Sequence, residues 1–432
     1  MSGTAEMVIP RGWYYGWNIV AVIILAQLAA NGLTYKAFSL FVHDWSVDLH
    51  APISQLQLSV AAMALVAALV APAIGTLADK YPARILFATG LAGIGIFYVA
   101  ISMATAAWQV IALYGLLVPI ALGLSTSVTA NPVISRWFTR RLGLALGLSS
   151  FGLGMAGVVL PPIIAALLPE FGWRLIWRGG GLLVALVAMP LVVFVMRDRP
   201  TEREGLHYLA GVDTASIPHG HPSRGQGGQL TWRAVLVRRN FWLLVFIYIP
   251  IMAAYGGVGQ NVAPFASNHG LSQAAGGELL SALSLSHVIS NLVLGLLADR
   301  FGCRLPLVGL AVAVAIGAGV LAASTGFWAI AFGCVLVGLG GGIFTLLAAA
   351  IAAEFGAGGV GRAFGMIMFF IPLGALTPFA IARVQESTGS YTAALIGLVG
   401  LVIMSGVLSL LLREHRPQDG AATLRAVDIL KS

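Results

Sequence analysis

The chain has 432 residues, of which 59% are hydrophobic and only 9% charged, and its formal net charge is +8. Soluble domains carry about 25% charged residues, so this composition excludes a water-soluble globular body, and the mean hydropathy of +0.92 agrees. In a soluble protein the positive balance would suggest nucleic acid; here its distribution has a topological meaning, and no nucleic-acid partner is implied.

A membrane-spanning helix needs about 20 mostly apolar residues. That ruler predicts twelve spans, at 15–42, 56–78, 84–105, 108–135, 142–168, 173–196, 240–267, 274–298, 305–324, 327–353, 361–385 and 391–412. Trp13–Phe41 reads as a full span and not as a cleaved leader. The stretch 197–239, charged at first and then rich in Gly, Ser, His and Pro, divides six spans from six. The expected organisation is therefore an all-α membrane protein of two six-helix bundles, 1–196 and 240–413. A cytoplasmic linker, 197–239, joins them, and a cytoplasmic tail, 414–432, follows.

With the N-terminus inside, 20 of the 24 Lys and Arg residues fall on cytoplasmic segments; Lys36, Arg174, Arg178 and Arg383 are the exceptions. Positive residues mark the cytoplasmic side, and a missed span would invert half of that count. The reading is a multi-pass plasma-membrane protein with both termini cytoplasmic, functioning as a monomer in the lipid bilayer.

Gly75-Thr-Leu-Ala-Asp-Lys-Tyr-Pro-Ala-Arg84 follows the second span and Gly295-Leu-Leu-Ala-Asp-Arg-Phe-Gly-Cys-Arg304 follows the eighth. Five of ten positions are identical. A repeat at the same place in each half indicates parallel duplication, an architecture that places the solute site near the bilayer midplane between the halves.

These loops resemble the signature of the major facilitator superfamily, Gly-x-x-x-Asp-(Arg/Lys)-x-Gly-x-Arg; the second copy fits fully and the first has Pro82 in place of glycine. Tyr15-Gly-Trp17, Asn131-Pro132, Arg136 to Gly147, Gly172-Trp-Arg174 and Thr388-Gly-Ser-Tyr391 are similar to the monocarboxylate-porter and oxalate:formate-antiporter branch. The resemblance implies a twelve-helix carrier in which Asp79, Arg84, Asp299 and Arg304 gate the cycle without touching solute. Branch members commonly carry an eighth-helix arginine four residues before the loop glycine, and animal members an aspartate one turn earlier. Here those positions are Asn291 and His287, so an eighth-helix arginine does not carry over.

Lys36 is the leading charged candidate. It lies in the apolar stretch Gly32–Val42 near the outer end of the first span. A lysine in a span costs about 2.5–3.5 kcal/mol on insertion scales and usually faces a cavity, although one near a helix end can snorkel to the interface. His287 and Asn291 share a helix face, flanked by Ser284 and Ser290. Histidine changes charge near neutrality, so His287 is the proton-coupling candidate; the alternative is a neutral histidine bonded between helices. Tyr114, Asn131 ahead of the proline expected to break the fourth span, and Tyr255, Gln260 and Asn261 in the seventh complete the substrate-binding candidates. Each could equally be interhelical glue. Arg174, Arg178 and Arg383 read as interface anchors, Asp44, Asp48 and Glu278 as solvated, and Glu354 and Arg362 as a possible pair.

Gly152-Leu-Gly-Met-Ala-Gly157 matches a dinucleotide fingerprint, but no strand precedes it, and it reads as a packing face. His207, His219 and His221 lie in the linker without acidic or cysteine partners, and Cys303 and Cys334 make no framework, so no metal, disulfide or cofactor is expected. No Walker loop, zinc-protease motif or nucleophile elbow supports an ATP-driven pump or an enzyme. A membrane sensor would carry a signalling domain, and the segment after the last span is short. The leading reading is a secondary transporter of a small organic anion, a monocarboxylate, by proton symport or exchange for a counter-anion. The alternative is efflux of a lipophilic or aromatic compound.

Overall fold

The computed structural model describes residues 14–138, 142–198, 235–355 and 365–412, and among these all regular structure is helical. Among the described residues eleven helices are long and apolar enough to cross a membrane. One of them, Gly147–Val195, runs for 49 residues and holds two crossings. The chain turns at Gly172, where φ is 68° and ψ 159°. A side chain at that residue would be strained by the backbone angle itself, which glycine adopts freely. Counting that turn, the expected twelve crossings are present, in two six-helix halves. Most of the expected linker, from 199 to 234, and the tail after 412 lie outside the described residues.

Several crossings depart from regular α-helix in ways that hydropathy does not register, among them the first, fourth and tenth. The first runs Gly16–Asn31, widens into a π-helical segment Gly32–Lys36, and resumes after Ala37 as Phe38–Asp48. Its expected end at 42 is six residues too early. Lys36 closes the π segment and lies twelve residues, roughly 18 Å, short of the end of the following helix. The fourth crossing breaks at Thr126, with φ −120° and ψ −158°, and restarts as Ser127–Trp137. The expected break at Asn131-Pro132 is thus misplaced: those residues sit inside the restarted helix. The tenth crossing, Phe327–Gly338 and Ile343–Phe355, is joined by a 3-10 turn, Leu339–Gly342.

The first half packs around Phe41, Trp45, Phe97, Tyr98 and Trp177, with Trp45 stacked on Trp177 at 5.9 Å between ring centres. A core in the second half centres on Phe241, Tyr248, Ile251, Val314 and Leu346. The halves meet where the fifth helix lies on the eighth: Ser281 Oγ donates to the Val158 carbonyl at 2.8 Å, and Gly157 packs on Ser284. Gly152 and Gly154 likewise pack on Ile24 and Val288, so the glycine run at 152–157 is a packing face, as the sequence indicated. On the other flank Gln57 of the second helix, Ile53–Lys80, donates to the Gln260 carbonyl of the seventh, Arg239–Asn268, at 2.8 Å. These links lie between mid-depth and the end of the molecule opposite the repeat loops.

Candidate functional site

The π-helical segment sets the geometry of the first-helix face. Tyr35 and Lys36, successive residues at its end, both line one cavity. The aliphatic stem of Lys36 passes Gly157, where a β-carbon would stand 3.0 Å from Lys36 Cδ. The amine then reaches the second half: Lys36 Nζ lies 3.4 Å from Tyr255 Oη as its donor. Tyr255 Oη in turn is 2.9 Å from His287 Nδ1, the rings meeting edge-on at 65°. Tyr255 is near the middle of the seventh helix and His287 the central residue of the eighth, Gln273–Phe301. A lysine, a tyrosine and a histidine thus form one chain at mid-depth.

The tenth helix holds the imidazole in place. A β-carbon on Gly341 would stand 2.5 Å from His287 Cγ and Cδ2. Only glycine leaves room for the ring there. Sequence reasoning missed this support, whose signal is the glycine run Gly340-Gly-Gly342 in the middle of an apolar span.

Two cavities share Tyr35 and Gly256. One, with about 300 Å³ of empty space, is lined by Lys36, Tyr255, Gly259, Gln260, Leu280, Leu283 and Ser284 besides those two. The other, of about 450 Å³, lies nearer the repeat loops and is walled by Val60, Tyr248, Ile249, Met252, Ile371 and Pro378. One chamber carries the amine and an amide, and its neighbour is mostly apolar apart from Tyr35 and Tyr248.

Of the residues singled out from sequence, Lys36, Tyr255, Gln260 and His287 come together. Gln260 Nε2 donates to the Tyr35 carbonyl at 3.4 Å. The others stand apart. Asn261 turns away, donating to the Gly257 and Pro378 carbonyls and accepting from Gln57 Nε2 at 3.4 Å. Asn291 donates to the His287 carbonyl at 3.2 Å and accepts from Thr345 Oγ1 at 3.0 Å, which ties the eighth helix to the tenth. Tyr114 is enclosed by Phe38, Trp45 and Phe97 and lines neither cavity. Asn131 is exposed. Tyr35 and Gln57 were not foreseen; Gln57 was legible only as a polar residue in an apolar span.

At the repeat loops, Arg84 is exposed and its backbone N–H donates to Asp198 Oδ1 at 3.2 Å, which joins the third helix to the end of the sixth. Arg304 is the exposed first residue of the ninth helix. The side chains of Asp79 and Asp299 lie outside the described set. Glu354 accepts from Asn240 Nδ2 at 2.6 Å and faces Arg238 at 3.6 Å, while its expected partner Arg362 is outside the described residues. At the opposite end Asp48 and Arg174, expected as separate surface charges, pair at 2.6 Å, and the Trp173 indole donates to the same oxygen at 2.8 Å. Those two hydrogen bonds hold the Asp48 carboxyl below its ordinary value.

No described carboxylate forms an ion pair with Lys36. The described residues contain no group of three metal-ligating side chains.

The sequence profile of the Major Facilitator Superfamily matches residues 24–277 and 257–427. The chain belongs to the major facilitator superfamily. This facilitator is a transporter and not an enzyme. It is similar to an uncharacterized MFS-type transporter, YcxA, of Bacillus subtilis (strain 168), at 24% identity over 91% of this chain and 94% of the relative. It is also similar to human monocarboxylate transporter 11, at 27% identity over 91% of this chain and 82% of the relative. Among solved structures, a bacterial homologue of the human lysosomal transporter Spinster, inward-facing and occupied, superposes with a TM-score of 0.71 at 16% identity, covering 93% of this chain and 97% of the other. The nucleoside transporter NupG gives 0.72 at 11% identity, covering 92% and 99%. At such identities the structures establish the fold alone.

Proposed function

We propose that this facilitator carries a small organic anion, a monocarboxylate, across the plasma membrane by proton symport or anion exchange. The observation that carries this reading is Lys36: a cation at mid-depth, beside a cavity, with hydroxyl and imidazole neighbours and no carboxylate partner among the described residues. An unpaired buried charge is strongly unfavourable, and a bound carboxylate would neutralise it. The relatives named monocarboxylate transporters support the same class. His287, one hydrogen bond beyond Tyr255, is the proton site, and Gln260 supplies a polar contact beside the anion.

The rest of the reading follows from charge and duplication. The repeat-loop end, where most positive residues fall, is cytoplasmic, as are both termini. The bodies 1–196 and 240–413 rock about the site as a monomer. Asp79, Arg84, Asp299 and Arg304 control the rate of that motion and not affinity.

The apolar chamber beside Tyr248 and Met252 favours a second reading, a lipophilic or aromatic solute. Purified protein in proteoliposomes separates the two. Counterflow of labelled lactate should be competed by other short monocarboxylates and not by dicarboxylates or neutral aromatic analogues. Competition by the neutral aromatics alone would select the second reading.

A further inference from the structure

Tyr255 stands between two basic side chains that belong to different halves of the molecule. Lys36 Nζ approaches its oxygen from the first half at 3.4 Å, and His287 Nδ1 lies on its other side at 2.9 Å within the second half. A phenol has a single proton to give and lone pairs to receive one. An ammonium can only donate, so a charged Lys36 makes Tyr255 accept from Nζ and donate to His287 Nδ1. The imidazole is then neutral, with its proton on Nε2. An imidazolium reverses the chain: His287 Nδ1 donates to Tyr255, and the phenol donates to Lys36, which must be the free amine to accept.

The two arrangements hold the same number of protons and the same net charge. They differ by one concerted shift. An N–H bond at Lys36 breaks as an O–H bond forms at Tyr255, while the former O–H bond of Tyr255 breaks as an N–H bond forms at His287 Nδ1. We propose that Tyr255 is a proton bridge, through which one proton passes between Lys36 and His287. This rests on the reading of Lys36 as the anion's partner.

The surroundings leave the shift to these three groups. The first helix adds Tyr35, whose ring centre is 5.9 Å from Lys36 Nζ, and the seventh adds Tyr248 in the neighbouring chamber. The fifth helix presents Gly157, the tenth Gly341, the second Val60 and Gln57, and the eleventh Ile371, Gly374 and Pro378, none of which titrates. No described acidic side chain pairs with any member of the chain.

The bridge has a definite use in a carrier. An arriving carboxylate favours the ammonium form of Lys36 by charge and draws the proton to the first half. Once the anion has left, an uncompensated ammonium would burden the empty carrier on its return. Transfer through Tyr255 discharges Lys36 and leaves the proton on His287, from which it is lost to the side where the anion was released. Exchange of one anion for another needs no such discharge, because Lys36 stays paired throughout. Net uptake needs it in every cycle.

The test is the ratio of net lactate uptake, driven by a pH gradient, to lactate exchange at equal pH in the same proteoliposomes. Tyr255→Phe keeps the ring and removes the oxygen. It should lower that ratio about a hundredfold, the lower end of what a positioned proton-transfer group contributes, and His287→Gln should lower it equally. The double variant should be no worse than either single one. A merely structural or substrate-binding role would reduce net uptake and exchange together. An unchanged ratio in Tyr255→Phe, or a loss confined to His287→Gln, overturns the bridge. Absence of lactate exchange by the unaltered protein, with other carboxylates equally inert, overturns the anion reading and the bridge with it. An unchanged Tyr255→Phe ratio in a working lactate exchanger overturns the bridge alone.

Discussion

Glu386, near the end of the eleventh helix, accepts two hydrogen bonds from Ser54 in the first turn of the second: one from the backbone N–H at 2.8 Å and one from the hydroxyl at 2.6 Å. The carboxylate sits at a helix N-terminus, where exposed N–H groups and the macrodipole favour negative charge. Ser54 belongs to the first half and Glu386 to the second, so this contact fastens the halves at the end opposite the repeat loops. Hydrogen bonds to charged groups contribute about 1.5–3 kcal/mol. Glu386→Gln should therefore loosen closure at that end by about tenfold or more. The check uses a cysteine at Gln57 in a background lacking Cys303 and Cys334, labelled by an impermeant maleimide. Faster labelling in Glu386→Gln is expected, and an equal rate would show that the contact does not hold the seam.

The tenth helix gives a second prediction. Gly341→Ala forces a methyl group into the His287 ring, and overpacking of this kind costs about 1–3 kcal/mol. The variant should melt lower than the unaltered protein and lose gradient-driven uptake more than exchange, because the imidazole is displaced from Tyr255. Gly309→Ala, on a helix surface with open space around it, is the control and should alter neither.

A third concerns the Asp48, Trp173 and Arg174 cluster. The Asp48 carboxyl lies below its ordinary 3.8 because it accepts from Trp173 and Arg174. A depressed acid contributes stability above its unfolded value and loses it as pH falls through the folded one. The contribution should thus be present at neutrality and disappear below pH 3.8. Both side chains are 41% exposed, so it is small, within the roughly 0–1 kcal/mol range of surface pairs. Asp48→Asn should lower the melting temperature slightly at pH 7, and the difference from the unaltered protein should shrink in acid. A gap that widens on acidification would contradict the assignment.

Topology is checked separately. A reporter fused after Ser432 should be active only in its cytoplasmic format; activity in the opposite format would invert the reading of the positive charges.

Hydropathy carried the fold because each crossing is a long apolar run, and the repeated loops at 75–84 and 295–304 carried the family. What escaped was local backbone geometry. The π segment Gly32–Lys36 ends where Tyr35 and Lys36 reach one cavity wall, a local geometry that hydropathy does not carry. The break at Thr126 lacks a proline to announce it, so the visible proline at 132 drew the expected break six residues too late. Asn261 and Asn291 looked like ligands because both are polar in apolar spans, yet carbonyls and Thr345 use their amides. Lys36 and His287 were recognisable as rare ionisable residues in lipid, but their link through Tyr255 depends on the meeting of three helices.

On this reading Lys36 is the charge the anion needs. The most direct measurement is lactate counterflow in proteoliposomes by Lys36→Gln, with correct folding established by its elution and melting. Glutamine retains hydrogen-bonding capacity and removes the charge, so counterflow should be lost completely. Normal lactate counterflow by Lys36→Gln would contradict it.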